Sequence, residues 1–430
     1  MGHNTVRGNY EKLVTRLNKF PQGAPPSETL YEILRLLFSS DEAKLVSLLP
    51  IKPFTVKTAA KVWKKSEDET SEILNELASR ALLVDIERNG NQTFTLPPPM
   101  AGFFEFSMMR SGGKIDQKVL GELFYQYMNV EDEFVTELMG LPTSIGRAFI
   151  NEEAIEDTSI HVLDFERATN VINTASHIGI GTCYCRHKKE HVNQSCDAPM
   201  EICMTFNATA SSLIKHGYAK QVDAEECLRL LDVAKEYNLV QFGDNVQNEV
   251  AFICNCCSCC CEALVAARKV GPSQAINSSN FICNIIEDNC VGCSKCVEVC
   301  PVEALSMTSA NTSNQKKKVA KLQEENCIGC GVCERVCKVE AITMEPRGKR
   351  VFTPVNMAHR VVMEAIETNK LQNLIFDNQT HFSHRALAAI FGAILKLPPL
   401  KQILASEQVK SKYLLKLIEK NNQKIANTKN

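Results

Sequence analysis

Two runs of cysteines constrain this chain more than anything else in it: "CVGCSKCVEVCP" at residues 290–301 and "CIGCGVCERVCK" at residues 327–338. Each has the pattern C-x2-C-x2-C-x3-C, giving Cys290, Cys293, Cys296 and Cys300 in the first and Cys327, Cys330, Cys333 and Cys337 in the second. A tight loop with a thiolate at every third residue can cap three corners of a cubane. The fourth cysteine, on the following helix, points away to the other cluster. Zinc would more naturally be held by separated cysteine pairs. The two runs therefore predict two [4Fe–4S] clusters within residues 290–337.

The remaining cysteines are no less uneven. All twenty lie between Cys183 and Cys337. A secreted disulfide scaffold would spread its bridges through the fold and carry an export signal, whereas Met1 to Tyr10 is polar, with no apolar core. The longest uninterrupted apolar run, Ala386 to Leu395, is half the roughly 20 residues that a spanning helix requires. The expectation is a soluble, cytoplasmic metalloprotein with no transmembrane segment, able to dock on a larger oxidoreductase complex. A net charge of −2 gives no general pull toward nucleic acid.

Upstream of the tandem runs lies a denser region. "GTCYCRHKKEHVNQSCDAPMEIC" supplies Cys183, Cys185, Cys196 and Cys203, and fifty residues later "CNCCSCCC" supplies Cys254, Cys256, Cys257, Cys259, Cys260 and Cys261. Adjacent cysteines do not readily bridge each other. Unligated thiols packed this closely would oxidise readily, so metal ligation is expected here too. In one register Cys254, Cys257 and Cys260 repeat the three-legged C-x2-C-x2-C loop, with Cys256, Cys259 and Cys261 threaded between. One cubane would need that loop and a remote thiolate from the Cys183 group; two would use eight of the ten thiols. One or two further iron–sulfur clusters are thus expected in 183–261. Arg186, His187, Lys188, Lys189 and His191 follow the CxC pair and would offset cluster charge or donate to sulfur. Cys227, on a leucine-rich helix, and Cys283 read as buried small hydrophobes.

The tandem runs resemble the bacterial two-cluster ferredoxin fold, over about Ile282 to Met344. The resemblance implies that Cys290, Cys293, Cys296 and Cys337 hold one cluster, and that Cys327, Cys330, Cys333 and Cys300 hold the other. "VEALSM" and "VEAIT" would form the short helix and strand of each half. Two departures stand out: Lys338 replaces the proline after the second run, and "TSANTSNQKKKVAKLQEEN" separates the halves. Neither removes a ligand. The larger arrangement of winged helix, CxCR, CNCC-x-CCC, ferredoxin runs and helical tail is similar to a family of ferredoxin-domain proteins of anaerobic microbes, for which no activity is settled.

The N-terminal part predicts three helices and a hairpin. Ser27 to Leu49 has helical periodicity, Thr55 to Lys65 a second helix, and Ser66 to Glu69 a capping box opening a third. "VDIERNGNQTFTLP" alternates around Asn89-Gly90, a hairpin signal, and "LPPPMAGFFEF" reads as a Pro-rich extended stretch. Three helices and a two-stranded wing resemble a winged helix. Its third helix carries Glu67, Asp68, Glu69, Glu72 and Glu76 against Arg80 alone, a pattern that repels phosphates, so an interaction module is favoured over a DNA reader.

The predicted class is α+β: a mainly helical multidomain protein. Its parts are a winged-helix-like domain (1–106), a helical domain with the extra cysteine-rich site (107–281), a ferredoxin-like 2[4Fe–4S] module (282–346) and a helical C-terminal extension (347–430). No dinucleotide fingerprint, P-loop or flavin motif appears, and "GIGTC" lacks the G-x-G-x-x-G context. The expected function is a multi-cluster electron-transfer protein or subunit, relaying low-potential electrons between redox protein partners in anaerobic metabolism. Two alternatives stay open: a catalytic iron–sulfur oxidoreductase subunit with an unusual cluster in 183–261, its catalytic residues unassigned, and a redox-sensing winged-helix regulator.

Overall fold

The computed structural model describes residues 2–88, 90–110, 115–155, 163–271, 275–310 and 318–376. The apolar "RALAAIFGAILKLPPLKQILA" segment, expected to form two helices, lies outside them. Among the described residues the chain divides into two compact units: residues 2–107 with 141–143 and 354–376, and residues 108–140 with 144–353.

In the first unit, helix α1 (Gly2–Leu17) precedes α2 (Glu28–Leu37), which buries Leu30, Ile33, Leu34 and Leu37. The single helix expected over 27–49 is two. Phe38 leaves helical geometry, and Ser39 opens α3 (Ser40–Val46) with a capping box to Glu42, a local alternative that outcompetes continuation. Helix α4 (Val56–Trp63) ends at Lys64 in the left-handed region, and Ser66 then caps α5 (Glu67–Ser79) by accepting the Glu69 N–H. Strands β1 (Val84–Arg88) and β2 (Asn91–Thr95) pair antiparallel with Arg88 opposite Asn91, and Gly90 adopts φ +74° as a two-residue turn requires. The acidic residues of α5 all face solvent.

The proline-rich stretch is not simply extended. After Pro98 the chain turns through Pro99–Phe103 into the short helix α6 (Phe104–Phe106), because Phe103, Phe104 and Phe106 all go to the core. Helices Met357–Glu367 and Leu371–Ile375 complete this unit. Glu367 accepts from the Thr143 backbone N–H and hydroxyl at 2.9 and 2.8 Å, and Lys370 Nζ donates to the Phe20 and Pro21 carbonyls.

The second unit differs most from expectation. Helices α7 (Gln117–Tyr125) and α8 (Glu133–Met139) lead into a six-stranded antiparallel sheet where a helical domain was predicted. Its strands are β3 (Gly146–Ala148), β4 (Ile178–Thr182), β5 (Glu201–Phe206), β6 (Lys220–Gln221), β7 (Val240–Asp244) and β8 (Phe252–Cys256), in the order β3-β7-β8-β5-β4-β6. These strands are short and carry glycine and cysteine rather than alternating β-branched residues. In β7, a Cβ at Gly243 would stand 2.7 Å from the Phe252 backbone carbonyl oxygen, so close packing selects glycine there. Helices α9 (Ala168–Thr174), α10 (Tyr184–His191), α11 (Asn207–Lys215), α12 (Ala224–Glu236) and α13 (Glu262–Val270) alternate with the strands. Ile172, Leu231 and Cys227 pack with Ile178, Met204, Phe206 and Ile253 in one core, which gives Cys227 the apolar role read from sequence.

Residues 281–346 form two matching halves. One is strand β9 (Phe281–Ile285), the first cysteine run, α14 (Lys295–Val299) and β10 (Leu305–Ser309). The other is β11 (Lys318–Leu322), the second run, α15 (Val332–Arg335) and β12 (Ile342–Pro346). The halves exchange strands: β9 pairs with β12 and β10 with β11, both antiparallel. Their backbones match as well. Gly292 and Gly329 have φ +72° and +67°, and Glu303 and Glu340 have φ +57° and +49°.

Candidate metal centres

The loops of the two halves shape two concavities. The first is lined by Cys290, Cys293, Cys296 and Cys337, with Ile285, Met307, Ala320 and Ile342 around them. The second is lined by Cys300, Cys327, Cys330 and Cys333, with Leu305, Leu322 and Met344. Three cysteines of each loop thus meet the fourth cysteine of the other half. Positive φ at Gly292, Gly329 and Gly331 turns the loop backbone around each concavity, a conformation glycine adopts without Cβ strain.

The fourth cysteines receive matching hydrogen bonds. The Ala304 N–H donates to Cys300 Sγ at 3.2 Å and the Ala341 N–H to Cys337 Sγ at 3.3 Å. Amide donors of this kind stabilise charge on sulfur. Burial pushes Cys296 up to about 11 and Cys330 well above the ordinary thiol value, so these thiols would ionise only with a cation to hold them. Eight cysteines in two four-membered sets, apolar walls and N–H donors to sulfur fit iron–sulfur clusters.

Two further residues lie beside the second set of cysteines. Cys283 on β9 is buried, as its hydrophobic reading implied, but also lines the cavity beside Cys333. Arg335 on α15 has all three guanidinium nitrogens buried without hydrogen-bond partners, close enough to Cys330 to feel its charge. Their only sequence signal was proximity to the cysteine runs.

The ten upstream thiols converge at one end of the six-stranded sheet, in two groups. Cys196, Cys257, Cys259 and Cys260 form the first, their sulfurs all within 4.8 Å of one another. Cys183, Cys185, Cys203, Cys254, Cys256 and Cys261 form the second, each close enough to the next to shift its ionisation in the order 183–185–261–256–254–203. The three-legged register of Cys254, Cys257 and Cys260 is therefore not how the sulfurs gather. Cys254 and Cys256 sit two apart on strand β8 and share a face, while the turn after β8 carries Cys257 through Cys260 away from it.

Each group contains a thiol that ionises readily. Hydrogen bonds from Cys203 and Cys256 hold Cys254 down to about 5, and one from Cys260 holds Cys257 down to about 5. Cys185, then Cys256, lower Cys261 well below the usual range, aided by the Ala263 and Leu264 amides at the start of α13.

Of the basic residues that follow the CxC pair, Arg186 is the one that faces these thiols. Arg186 is fully buried, donating to the Pro199 and Asn255 carbonyls at 2.9 and 2.7 Å, and its charge lies near Cys183, Cys256 and Cys257. It stands between the two groups. Lys188, also fully buried, pairs with Glu262 and reaches Asn129 Oδ1 at 2.5 Å. The histidines turn elsewhere: His187 Nδ1 meets the Met108 carbonyl at 2.7 Å and its Nε2 meets His191 Nε2 at 3.2 Å.

Residues 289–341 match the family described as the 4Fe-4S dicluster domain. No curated protein matches the chain. With the cysteine geometry, the match makes this region an iron–sulfur, ferredoxin-like domain suited to electron transfer, within an α+β chain. Among the described residues no helix is long and apolar enough to cross a membrane.

Proposed function

We propose that this protein is a multi-cluster electron carrier that relays low-potential electrons between redox protein partners in anaerobic metabolism. The observation that carries the reading is the pair of concavities, each lined by four cysteines with the fourth exchanged between halves. Cys290, Cys293, Cys296 and Cys337 would hold one [4Fe–4S] cluster, and Cys327, Cys330, Cys333 and Cys300 the other. Such clusters supply one-electron transfer over a wide range of potentials. The upstream cysteines Cys183, Cys185, Cys196, Cys203, Cys254, Cys256, Cys257, Cys259, Cys260 and Cys261 would extend the relay with further metal centres. The test is reduction of the full chain under anaerobic conditions by a low-potential donor protein, followed by reoxidation with an acceptor protein. Spectra that cycle support a carrier; clusters inert to every protein partner contradict it.

The chain's own residues set how electrons enter and where they rest. The cysteines of both concavities share one apolar core, in which Cys283, Cys290, Cys296 and Cys333 are buried and Cys300, Cys327 and Cys337 partly buried. Cys293 is exposed, and beside it Val291 is 64% exposed. An apolar residue at the rim of a redox site suits brief docking of a partner. Val291→Glu is expected to slow electron uptake from a protein donor about tenfold while leaving uptake from a small viologen dye unchanged. Equal slowing of both would place the port elsewhere.

Arg335 acts on the second concavity. Its guanidinium, buried without a hydrogen-bond partner and near the Glu153 and Glu334 carboxylates, places positive charge near Cys330 and favours the more negative, reduced state. Arg335→Gln is expected to lower one cluster potential by tens of mV, on the order of one unit charge at partly screened range, and to leave the other in place. An EPR-monitored redox titration measures both.

The N-terminal unit would serve as an interaction module. The exposed acidic face of α5 gives phosphate backbones no counter-charge. A second reading, a catalytic iron–sulfur subunit, is favoured by one observation: the six-thiol group has two more sulfurs than a four-thiolate cluster uses. A substrate-dependent change in the spectrum of that centre alone would select it.

A further inference from the structure

We propose that Cys196, Cys257, Cys259 and Cys260 form a tetrahedral site for a single thiolate-binding metal ion, zinc or iron, distinct from any polynuclear cluster. This rests on the reading that residues 183–261 bind metal, and it specifies what four of those thiols hold. All four sulfurs lie within 4.8 Å of one another. Cys196 to Cys257 is 3.5 Å, Cys259 to Cys260 is 3.6 Å and Cys196 to Cys260 is 3.9 Å. Sulfurs about 2.3 Å from one ion stand at tetrahedral corners about 3.8 Å apart. A cubane places each thiolate on a different iron, so the body of the cluster holds the thiolates farther apart. Among the described residues, no other set of cysteine, histidine or carboxylate ligand atoms is gathered this tightly. A disulfide would require sulfurs at about 2.05 Å, and all four thiols are free.

The surroundings suit a compact anionic centre. The Cys260 amide lies toward Cys257 sulfur and the Cys196 amide toward Cys260 sulfur, so the backbone favours the thiolate at two of the four ligands. Four thiolates on a divalent ion leave two negative charges. Arg186, buried and held by the Pro199 and Asn255 carbonyls, places its positive charge near Cys257. Cys260 is buried and Cys259 exposed, so the ion reaches this site from solvent without passing the six-thiol group.

Metal analysis of the anaerobically purified full chain tests the proposal. Iron and zinc are counted by mass spectrometry, and acid-labile sulfide by chemical assay. A [4Fe–4S] cluster contributes iron and sulfide equally, so the expected result is a surplus of one metal ion per chain over sulfide. Cys196→Ser and, separately, Cys259→Ser should remove that surplus and leave sulfide unchanged; the exposed Cys259 is the replacement least able to disturb folding. X-ray absorption at the surplus metal's edge should show four sulfurs at about 2.3 Å and identify it as zinc or iron. Metal equal to sulfide in the unsubstituted chain would overturn the proposal, as would either variant losing iron and sulfide in equal amounts. Failure of the electron-carrier reading would look different: clusters in 290–337 inert toward protein partners, with the metal surplus intact.

Discussion

Cys337→Ser is expected to remove the cluster of the first cysteine run while sparing that of its own run. Cys337 lines the concavity of Cys290, Cys293 and Cys296, not that of Cys327, Cys330 and Cys333. Losing one thiolate of four exposes an iron to exchange, so the chain should fall by about four irons and four sulfides. Cys290→Ser should give the same spectrum, because it strips the same site. Cys300→Ser and Cys327→Ser should share the other spectrum. Had each run held its own cluster, Cys337→Ser would instead pair with Cys327→Ser. EPR of the four reduced variants reads the pairing directly. In each variant the surviving signal should also lose the broadening that a neighbouring reduced cluster imposes.

Breaking the Lys188–Glu262 pair is the second change with a large expected effect. Both side chains are essentially out of solvent, at 0% and 3% exposure, and Asn129 bonds to each. Replacing one partner strands the other charge in the interior, so Lys188→Met or Glu262→Gln should cost about 3–5 kcal/mol of stability. Replacing both with apolar residues should recover much of that. The pair also joins α10 to α13, whose first turns follow Cys183 and Cys261. The single variants should therefore lose metal from 183–261 before they lose it from 290–337. Anaerobic denaturant unfolding with metal counts checks both effects; unchanged stability in the single variants would contradict the buried-pair account.

What could be read from the sequence follows the length scale of each signal. Ser66 announced α5 and Asn89-Gly90 announced the hairpin, because caps and two-residue turns are encoded within four residues. Ser39 carried a signal of the same kind, but the apolar periodicity on either side of it read as one long helix. The six-stranded sheet escaped because its pairing is non-local. Its strands are two to six residues long, and in "IGIGT" the glycines remove the alternation that marks a strand.

The cysteine sites show the same contrast. The repeated spacing in 290–337 delimits two loops without further information, and the exchange of fourth cysteines came from resemblance to ferredoxins. In CNCCSCCC spacing alone misleads. The periodicity joins Cys254 to Cys257 and Cys260, whereas strand β8 ends at Cys256 and the following turn divides the sulfurs between two groups. Cys196 and Cys203 lie more than fifty residues upstream of CNCCSCCC, yet they join different groups because one sits in a loop and the other on β5.

The central claim is that this chain stores electrons both in the ferredoxin-like module and in the cysteine-rich end of the sheet. An anaerobic reductive titration monitored by EPR, with iron and sulfide counted on the same sample, tests it most directly. The account predicts about three or more electrons taken up per chain: one for each cluster of 290–337, and at least one more whose signal disappears in Cys254→Ser and persists in Cys290→Ser. Uptake of only about two electrons, with about eight irons and every signal abolished by changes within 290–337, would contradict it.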